Sequence, residues 1–319
     1  MTKVFVTRRI PESGPAQLRA NGFDVEVSDF DGVLPREVLL EKVRGVDAIL
    51  SLLTDRIDGD LMDAAGPQLK VIGQFAVGFD NIDLQAAAER RIVVTNTPGV
   101  LTEATAELTI ALIYGVTRRI VEADRYMRGG KFHGWAPLML LGSSLGGKVL
   151  GLIGLGRIGQ AVARRMGHMK ILYHDLSRNE QVEYQLGVEY RELDELVKTA
   201  DVISLHVPLT SGTRHLIDST RLGMMKNTAY LINTSRGPVV DETALVEALR
   251  TGCIKGAALD VYEEEPLMAP GLPGLTNVVL VPHIGSATEE ARSAMSELAA
   301  QNIIAVLSGR KPLTPIQAS

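Results

Sequence analysis

The sequence predicts an α/β protein built as two doubly wound parallel-sheet units, and three observations predict it. Short, β-branched apolar runs alternate with helical patterns almost throughout the 319 residues, the pattern expected where helices cover both faces of a parallel sheet. The runs fall into a set of five and a set of six, parted by one long helical stretch. The length suits two domains better than one.

The first strand set covers residues 3–8, 25–28, 48–52, 71–75 and 92–96. A helix follows over 103–130: Leu108, Ala111, Leu112 and Gly115 recur at i, i+3, i+4 and i+7, which places them on one helical face. Thr102, Thr105 and Glu107 supply N-terminal chemistry, and Gly129-Gly130 is the expected stop. An irregular piece, 131–148, leads to the second set: 148–154, 171–175, 202–207, 229–234, 256–260 and 278–282. The closing helix, 289–307, repeats Ala291, Met295, Leu298 and Ile303 at near-helical intervals. It is expected to return to the first unit. The domains are then residues 1–98 with 287–319, discontinuous, and residues 99–286.

Composition excludes several classes of function. Hydrophobic residues make up 45% and charged residues 22%, with a net charge of −5; this is an ordinary globular balance with no basic block for nucleic acid. The single cysteine, Cys253, has no internal partner, so no oxidising compartment is implied, and it reads as a small buried residue. The start, MTKVFVTRRI, enters a strand pattern at once, and no apolar run reaches the roughly 18 residues of a membrane span. A cytoplasmic protein without membrane association is expected. His133, His168, His174, His206 and His215 form no i, i+4 ligand pair, so no metal site is expected.

The stretch 151-GLIGLGRIGQ-160 carries the pattern Gly154-x-Gly156-x-x-Gly159. Chance alone gives roughly 0.3 such patterns in a chain this rich in glycine, so context decides. Here an apolar strand enters the motif and a helical pattern leaves it. Gly154 suits a tight turn, Gly156 a close approach of backbone to a pyrophosphate, and Gly159 close packing of helix on strand. Asp175 follows the first glycine by 21 positions, at the end of the next strand, where an acid binds the ribose hydroxyls. A carboxylate there repels a 2′-phosphate and favours NAD; Arg178, three residues on, could reach such a phosphate, leaving NADP as the weaker alternative.

In an open α/β sheet ligands bind outside the carboxyl ends of the strands. The ends of the second set read SLHVPLT, LINTSRGPVVDE, ALDVYEEEP and LVPHIGSAT, and deliver Arg236, Asp260, Glu265 and His283. Each has a plain alternative: a solvated turn arginine, a turn cap, part of the acidic triplet Glu263–Glu265, a loop histidine. Their joint placement on successive strand ends is what a reaction on a small carboxylate substrate requires. An arginine cannot lose its proton and matches carboxylates, while histidine exchanges protons near neutrality.

GLIGLGRIG, LINTSRGPVVDE, ALDVYEEEP and VPHIGSAT resemble the signature segments of the D-isomer-specific 2-hydroxyacid dehydrogenases. In the first unit, 76-AVGFDNID-83 and 95-TNTPGVLTEATAEL-108 are similar to the glyoxylate/hydroxypyruvate reductase branch. The resemblance spans essentially the whole chain. It implies a flavodoxin-like substrate domain, a Rossmann cofactor domain, an active-site cleft between them, and a homodimer with the arm after Pro98 embracing the partner. It also implies His283 as acid/base, Glu265 as its carboxylate partner and Arg236 as the group that binds and polarises a 2-oxo acid. Val77 and Gly78 would offer N–H groups to the substrate carboxylate. Leu53 and Trp135 are candidates for shaping the pocket, with Trp135 alternatively packed against the neighbouring subunit. The cofactor would be lined by Thr105, Gly154, Gly156, Arg157, Ile158, Gly159, Asp175, Arg178, Val207, Pro208, Thr213, Thr234, Arg236, Asp260, His283 and Ser286.

The reaction so implied is NAD(H)-dependent reduction of glyoxylate or hydroxypyruvate to glycolate or D-glycerate. A D-3-phosphoglycerate dehydrogenase is the alternative within the class, though no basic cluster for the phosphate is apparent. A corepressor-like binding protein that responds to NAD is the alternative from another class.

Overall fold

β1 (Lys3–Val6), β2 (Asp24–Val27), β3 (Ala48–Ser51), β4 (Val71–Gln74) and β5 (Val93–Thr95) form the first sheet of the computed structural model, which describes residues 1–317. All neighbours are parallel, in the order β2-β1-β3-β4-β5. β3 and β4 are buried along their whole length, as strands covered on both faces must be. This sheet belongs to a unit made of Met1–Leu101 and the chain from Ser286 onward. The 19-residue helix Glu289–Leu307 lies against β3, β4 and the Ser13–Ala20 helix. Ser296 fastens it there, donating to the Pro11 carbonyl (2.6 Å) and accepting the Gly14 N–H (3.1 Å).

The second unit, Thr102–Gly285, holds β6 (Val149–Ile153), β7 (Lys170–His174), β8 (Glu189–Tyr190), β9 (Val202–Leu205), β10 (Tyr230–Asn233), β11 (Gly256–Leu259) and β12 (Val278–Leu280). Its sheet is parallel throughout, in the order β12-β11-β10-β9-β6-β7-β8. Apolar side chains from the strands and covering helices bury into a layer on each face, each fully buried Leu or Ile contributing about 1.5–3 kcal/mol.

Each sheet reverses its winding at one point, between β1 and β3 in the first and between β6 and β9 in the second. These are the topological switch points, where adjacent loops leave in opposite directions and open a crevice. The observed ladders stop one or two residues short of most strand ends read from the sequence. Thr234 and Asp260 therefore lie just past the pairing, at the carboxyl edge of the sheet.

Two features depart from the sequence reading. The second sheet has a seventh strand, the two-residue edge strand β8, too short and polar to leave a periodic signal. The helix expected over 103–130 is two helices, Thr102–Thr117 and Ile120–Arg128, broken where Arg119 adopts φ 55°. The Ser143 N–H, from the irregular piece, donates to the Thr117 carbonyl at 2.8 Å. Arg119 pairs through both fork nitrogens with Glu122. The returning loop thus satisfies an end carbonyl that a continuous helix would have kept for itself.

Candidate active site

The glycine turn is set by contacts that forbid side chains. Gly154 leaves β6 at φ 96°, and a Cβ there would lie 2.7 Å from the His206 carbonyl at the end of β9, the strand across the switch point. A Cβ on Gly159 would collide with the Gly154 carbonyl, whereas one on Gly156 would meet no atom within 4 Å. The first and third glycines are therefore required by the fold, and the second borders open space. Gly156 caps the Arg157–Arg165 helix, whose first N–H groups have no carbonyl acceptors within the helix. An uncovered helix start behind a glycine turn fits a pyrophosphate.

Asp175 follows β7 beside this turn. Its Oδ2 accepts the Leu155 N–H and its Oδ1 the Leu176 N–H, both at 2.8 Å. A carboxylate has about four acceptor sites, so capacity remains for a ribose diol. Arg178 is committed elsewhere: its Nε and Nη2 donate to the two oxygens of Glu183, each at 2.8 Å. Sequence patterning gave no hint of Glu183. Val207 is half-buried and Pro208 exposed. Thr213 staples their loop, donating to the Pro208 carbonyl (2.6 Å) and accepting the Thr210 N–H (2.8 Å). Buried Thr105, Thr109 and Thr234 form a chain: the Thr109 hydroxyl donates to the Thr105 carbonyl (2.8 Å) and lies 2.9 Å from the Thr234 hydroxyl.

The strand ends converge on His283. The residue sits at φ 53°, a conformation side chains rarely adopt, and Asp260 holds it there. The Asp260 carbonyl accepts the His283 N–H at 2.8 Å, while its carboxylate accepts the N–H groups of Ile284 (2.6 Å) and Gly285 (2.8 Å). Asp260, which the sequence reading assigns to the cofactor lining, is in the structure the brace of the histidine loop. Burial pushes its carboxyl up, against the pull of these N–H groups and of His283.

His283 Nδ1 lies 2.9 Å from Glu265 Oε2, and Glu265 Oε1 accepts the Tyr262 N–H at 3.2 Å. Burial raises the Glu265 carboxyl, but the His283 bond and charge, the Tyr262 N–H and the charge of Arg236 outweigh it and hold it below the ordinary value. Arg236 leaves β10 in a turn shaped by Asn233, whose Nδ2 donates to the Arg236 carbonyl (2.9 Å) and whose Oδ1 accepts the Ser235 N–H (3.0 Å). The next residue must be glycine, because a Cβ on Gly237 would overlap the Tyr262 carbonyl. That contact draws the loops bearing Arg236 and Glu265 together. Tyr262 anchors the second loop through its hydroxyl, 2.9 Å from the Val281 carbonyl.

Leu53, Val77 and Gly78 lie in the first unit, on the loops after β3 and β4 at its carboxyl edge. One side-chain network joins these loops. Ser51 donates to Gln74 Oε1 (2.7 Å), and Gln74 Nε2 to Asn81 Oδ1 (2.7 Å) and the Gly78 carbonyl (3.3 Å). Asn81 Nδ2 reaches the carbonyls of Leu52 (3.1 Å) and Asp55 (2.7 Å). Asn96 Nδ2 fixes the Val77 carbonyl at 2.8 Å. Asn81 stands in the AVGFDNID segment, yet its hub role was not legible there. The Ser286 carbonyl, in the same unit, accepts Arg292 Nε (3.2 Å).

Among the described residues, no three His, Cys, Asp or Glu side chains group to hold a metal ion, and no helix is long and apolar enough to cross a membrane. Cys253 is partly buried, its thiol 3.5 Å from the Leu222 carbonyl. Trp135 and Leu138, in the irregular piece, are about four-fifths exposed (81% and 80%).

Comparison with known proteins agrees with this geometry. Residues 110–285 match the profile of the D-isomer specific 2-hydroxyacid dehydrogenase, NAD binding domain. The glyoxylate reductase of Thermococcus litoralis is 52% identical over 316 residues, covering 97% of this chain and 95% of that protein. A protein of Thermus thermophilus superposes with a TM-score of 0.92 at 47% identity, over 99% of this chain and 100% of the other. An NADPH-dependent glyoxylate/hydroxypyruvate reductase from Sinorhizobium meliloti, solved with NADP and malonate, has a TM-score of 0.86 at 35% identity, over 99% of this chain and 96% of the other. The chain belongs to the D-isomer specific 2-hydroxyacid dehydrogenase family.

Proposed function

We propose that this dehydrogenase reduces glyoxylate or hydroxypyruvate to glycolate or D-glycerate with NAD(H) as its preferred cofactor. The pair His283–Glu265 beside the Arg236 charge carries the reading, and the glyoxylate reductase relatives support it. A nicotinamide dinucleotide held at the glycine turn and Asp175 would supply the hydride for C2. Arg236 grips the 2-oxo acid and takes up the negative charge that grows on the carbonyl oxygen. His283 gives that oxygen its proton, completing the 2-hydroxy acid. With Nδ1 turned to Glu265, Nε2 is the nitrogen that exchanges the proton. The N–H groups of Val77 and Gly78 receive the substrate carboxylate, and Leu53 shapes the pocket. Residues 1–98 with 287–319 form the substrate domain in this reading, and 99–286 the cofactor domain.

Asp175 supports the preference for NAD, through attraction to the ribose hydroxyls and repulsion of a 2′-phosphate. The exposed Trp135 and Leu138 support a homodimer, on the reading that they form part of an apolar patch of the kind that marks an interaction surface. The lone Cys253 suits the cytoplasm. Oxidation of NADH and NADPH by the purified protein, each against glyoxylate and hydroxypyruvate, tests the reading. Fast turnover with NADH and slower turnover with NADPH is expected. NADH binding without turnover of either acid would overturn the substrate assignment.

A further inference from the structure

Glu183 is tied into the ribose end of the cofactor cradle although it lies eight residues beyond Asp175. Its side chain is only 14% exposed. Both oxygens accept the guanidinium of Arg178, and Oε1 also accepts the hydroxyl of Tyr173 at 2.8 Å. Tyr173 is a wholly buried residue of β7 whose hydroxyl oxygen accepts the Asn179 N–H at 2.8 Å. Asn179 in turn caps the Glu180–Leu186 helix through the Val182 N–H. Arg178, Asn179 and Glu183 are thus fixed by a chain rooted in the sheet, whereas Glu180 is exposed and only its Oε1 approaches Arg178, at 3.9 Å from Nη1. The Arg178 fork, whose planar geometry matches a phosphate as well as a carboxylate, is already filled.

We infer that Glu183 is a specificity-determining residue: it occupies Arg178 and thereby denies a 2′-phosphate the cation it would need. This rests on the reading that Asp175 and the glycine turn hold a dinucleotide. A cofactor bearing a 2′-phosphate must displace Glu183 from Arg178 and leave that carboxylate beside its own negative charge. A cofactor with a free 2′-hydroxyl meets only Asp175 and leaves the pair intact. Discrimination on this account comes from two carboxylates acting differently, one repelling the phosphate and one withholding its partner. Without Glu183, Arg178 keeps only the long contact to the exposed Glu180, and its fork can turn to the phosphate.

The test is direct titration of NADH and NADPH, by the fluorescence of the bound reduced cofactor, in wild type, Glu183→Gln, Glu183→Ala and Arg178→Ala/Glu183→Gln. Glutamine keeps an acceptor for Tyr173 while removing the charge. The ratio of NADPH to NADH affinity is expected to rise by about tenfold in both single variants, the change one released charge-assisted bond supports. It is expected to fall back to within about twofold of wild type in the double variant, where no guanidinium remains to be released. Wild-type NADH binding together with an unchanged ratio in both single variants would overturn the role of Glu183. So would a raised ratio that persists without Arg178. Failure of wild type to bind NADH at all would overturn the cradle itself.

Discussion

Glu265 Oε2 and His283 Nδ1 lie 2.9 Å apart, although 18 residues and a strand separate them and His283 has a positive φ. The pair is assembled by two neighbouring strand ends, β11 and β12, whose loops are each pinned to backbone: Tyr262 to Val281, and Asp260 to residues 283–285. An ionised carboxylate at this distance fixes the ring's orientation and assigns the proton on Nδ1.

Glu265→Gln keeps a hydrogen-bond acceptor near the ring but removes the charge. Because the wild-type carboxyl titrates below its ordinary value of 4.5, its contribution is complete above that pH and is lost only as pH falls through the lowered value. On the proposed chemistry, kcat for glyoxylate falls by about 10- to 100-fold in Glu265→Gln, and by about 100- to 10,000-fold in His283→Ala. The affinity for NADH moves far less. A pH–rate profile checks the sign: the wild-type limb that reports Glu265 lies below pH 4.5, and the Gln variant lacks it.

Asp260 serves this pair from beneath. Replacing it with Ala strands the N–H groups of Ile284 and Gly285 and leaves His283 held at φ 53° by its N–H bond to the residue-260 carbonyl without the carboxylate's two bonds beyond it. Two unsatisfied donors, the Gly285 N–H buried and the Ile284 N–H partly buried, cost about 2–4 kcal/mol. Asp260→Ala is therefore expected to lower the denaturant midpoint and, under conditions where it stays folded, to lose turnover nearly as His283→Ala does. Turnover close to wild type in a folded Asp260→Ala protein would mean that the loop is held by other contacts.

Asn81 makes the corresponding prediction for the first unit. Its amide ties the loop carrying Leu53 to the one carrying Val77 and Gly78 through four hydrogen bonds, three of its own and one relayed by Gln74 to Gly78. It acts through those loops and so is a positioning residue. Asn81→Ala is expected to raise KM for the 2-oxo acid by about fivefold or more while kcat changes less, the mark of lost substrate positioning. Asn81→Asp, which retains acceptors but loses the two donors to Leu52 and Asp55, should not rescue it. Equal losses in kcat and KM for both cofactor and substrate would indicate a merely structural role.

The strands, the glycine turn and the placement of Arg236, Glu265 and His283 past successive strand ends were legible because they depend on local patterns. A run of β-branched residues, a glycine spacing and a residue at a strand's carboxyl end each appear within a few positions. What was not legible depends on partners distant in sequence. Nothing near Arg119 announces that the Ser143 N–H will cap the Thr117 carbonyl and end the helix. The strand β8 is two residues of edge pairing, below any periodicity. The Arg178–Glu183 clamp needs the loop and helix start to be folded before their spacing has meaning. Asp260 read correctly as a strand-end carboxylate, yet its grip on residues 283–285 exists only once β11 and β12 pair.

His206 yields a prediction that concerns folding rather than turnover. It closes β9 at the switch point, its carbonyl beneath Gly154 and its Nε2 2.9 Å from the Ser204 hydroxyl. Burial pushes its pKa down to about 4 from 6.5, since nothing there compensates an imidazolium. The unfolded chain binds a proton on this residue as pH falls through 6.5, whereas the folded chain resists until about 4. Stability is therefore full above pH 6.5, declines between those values, and levels off for this group below both. The loss from His206 alone is at most about 3 kcal/mol. Denaturant melts at pH 7 and pH 4.5 measure it as a difference. His206→Gln, which preserves a polar contact for Ser204 without a titrating group, should shrink that difference by most of this amount. If wild type and variant lose the same stability between the two pH values, the acid sensitivity lies in the carboxylates, and His206 carries no charge penalty in the fold.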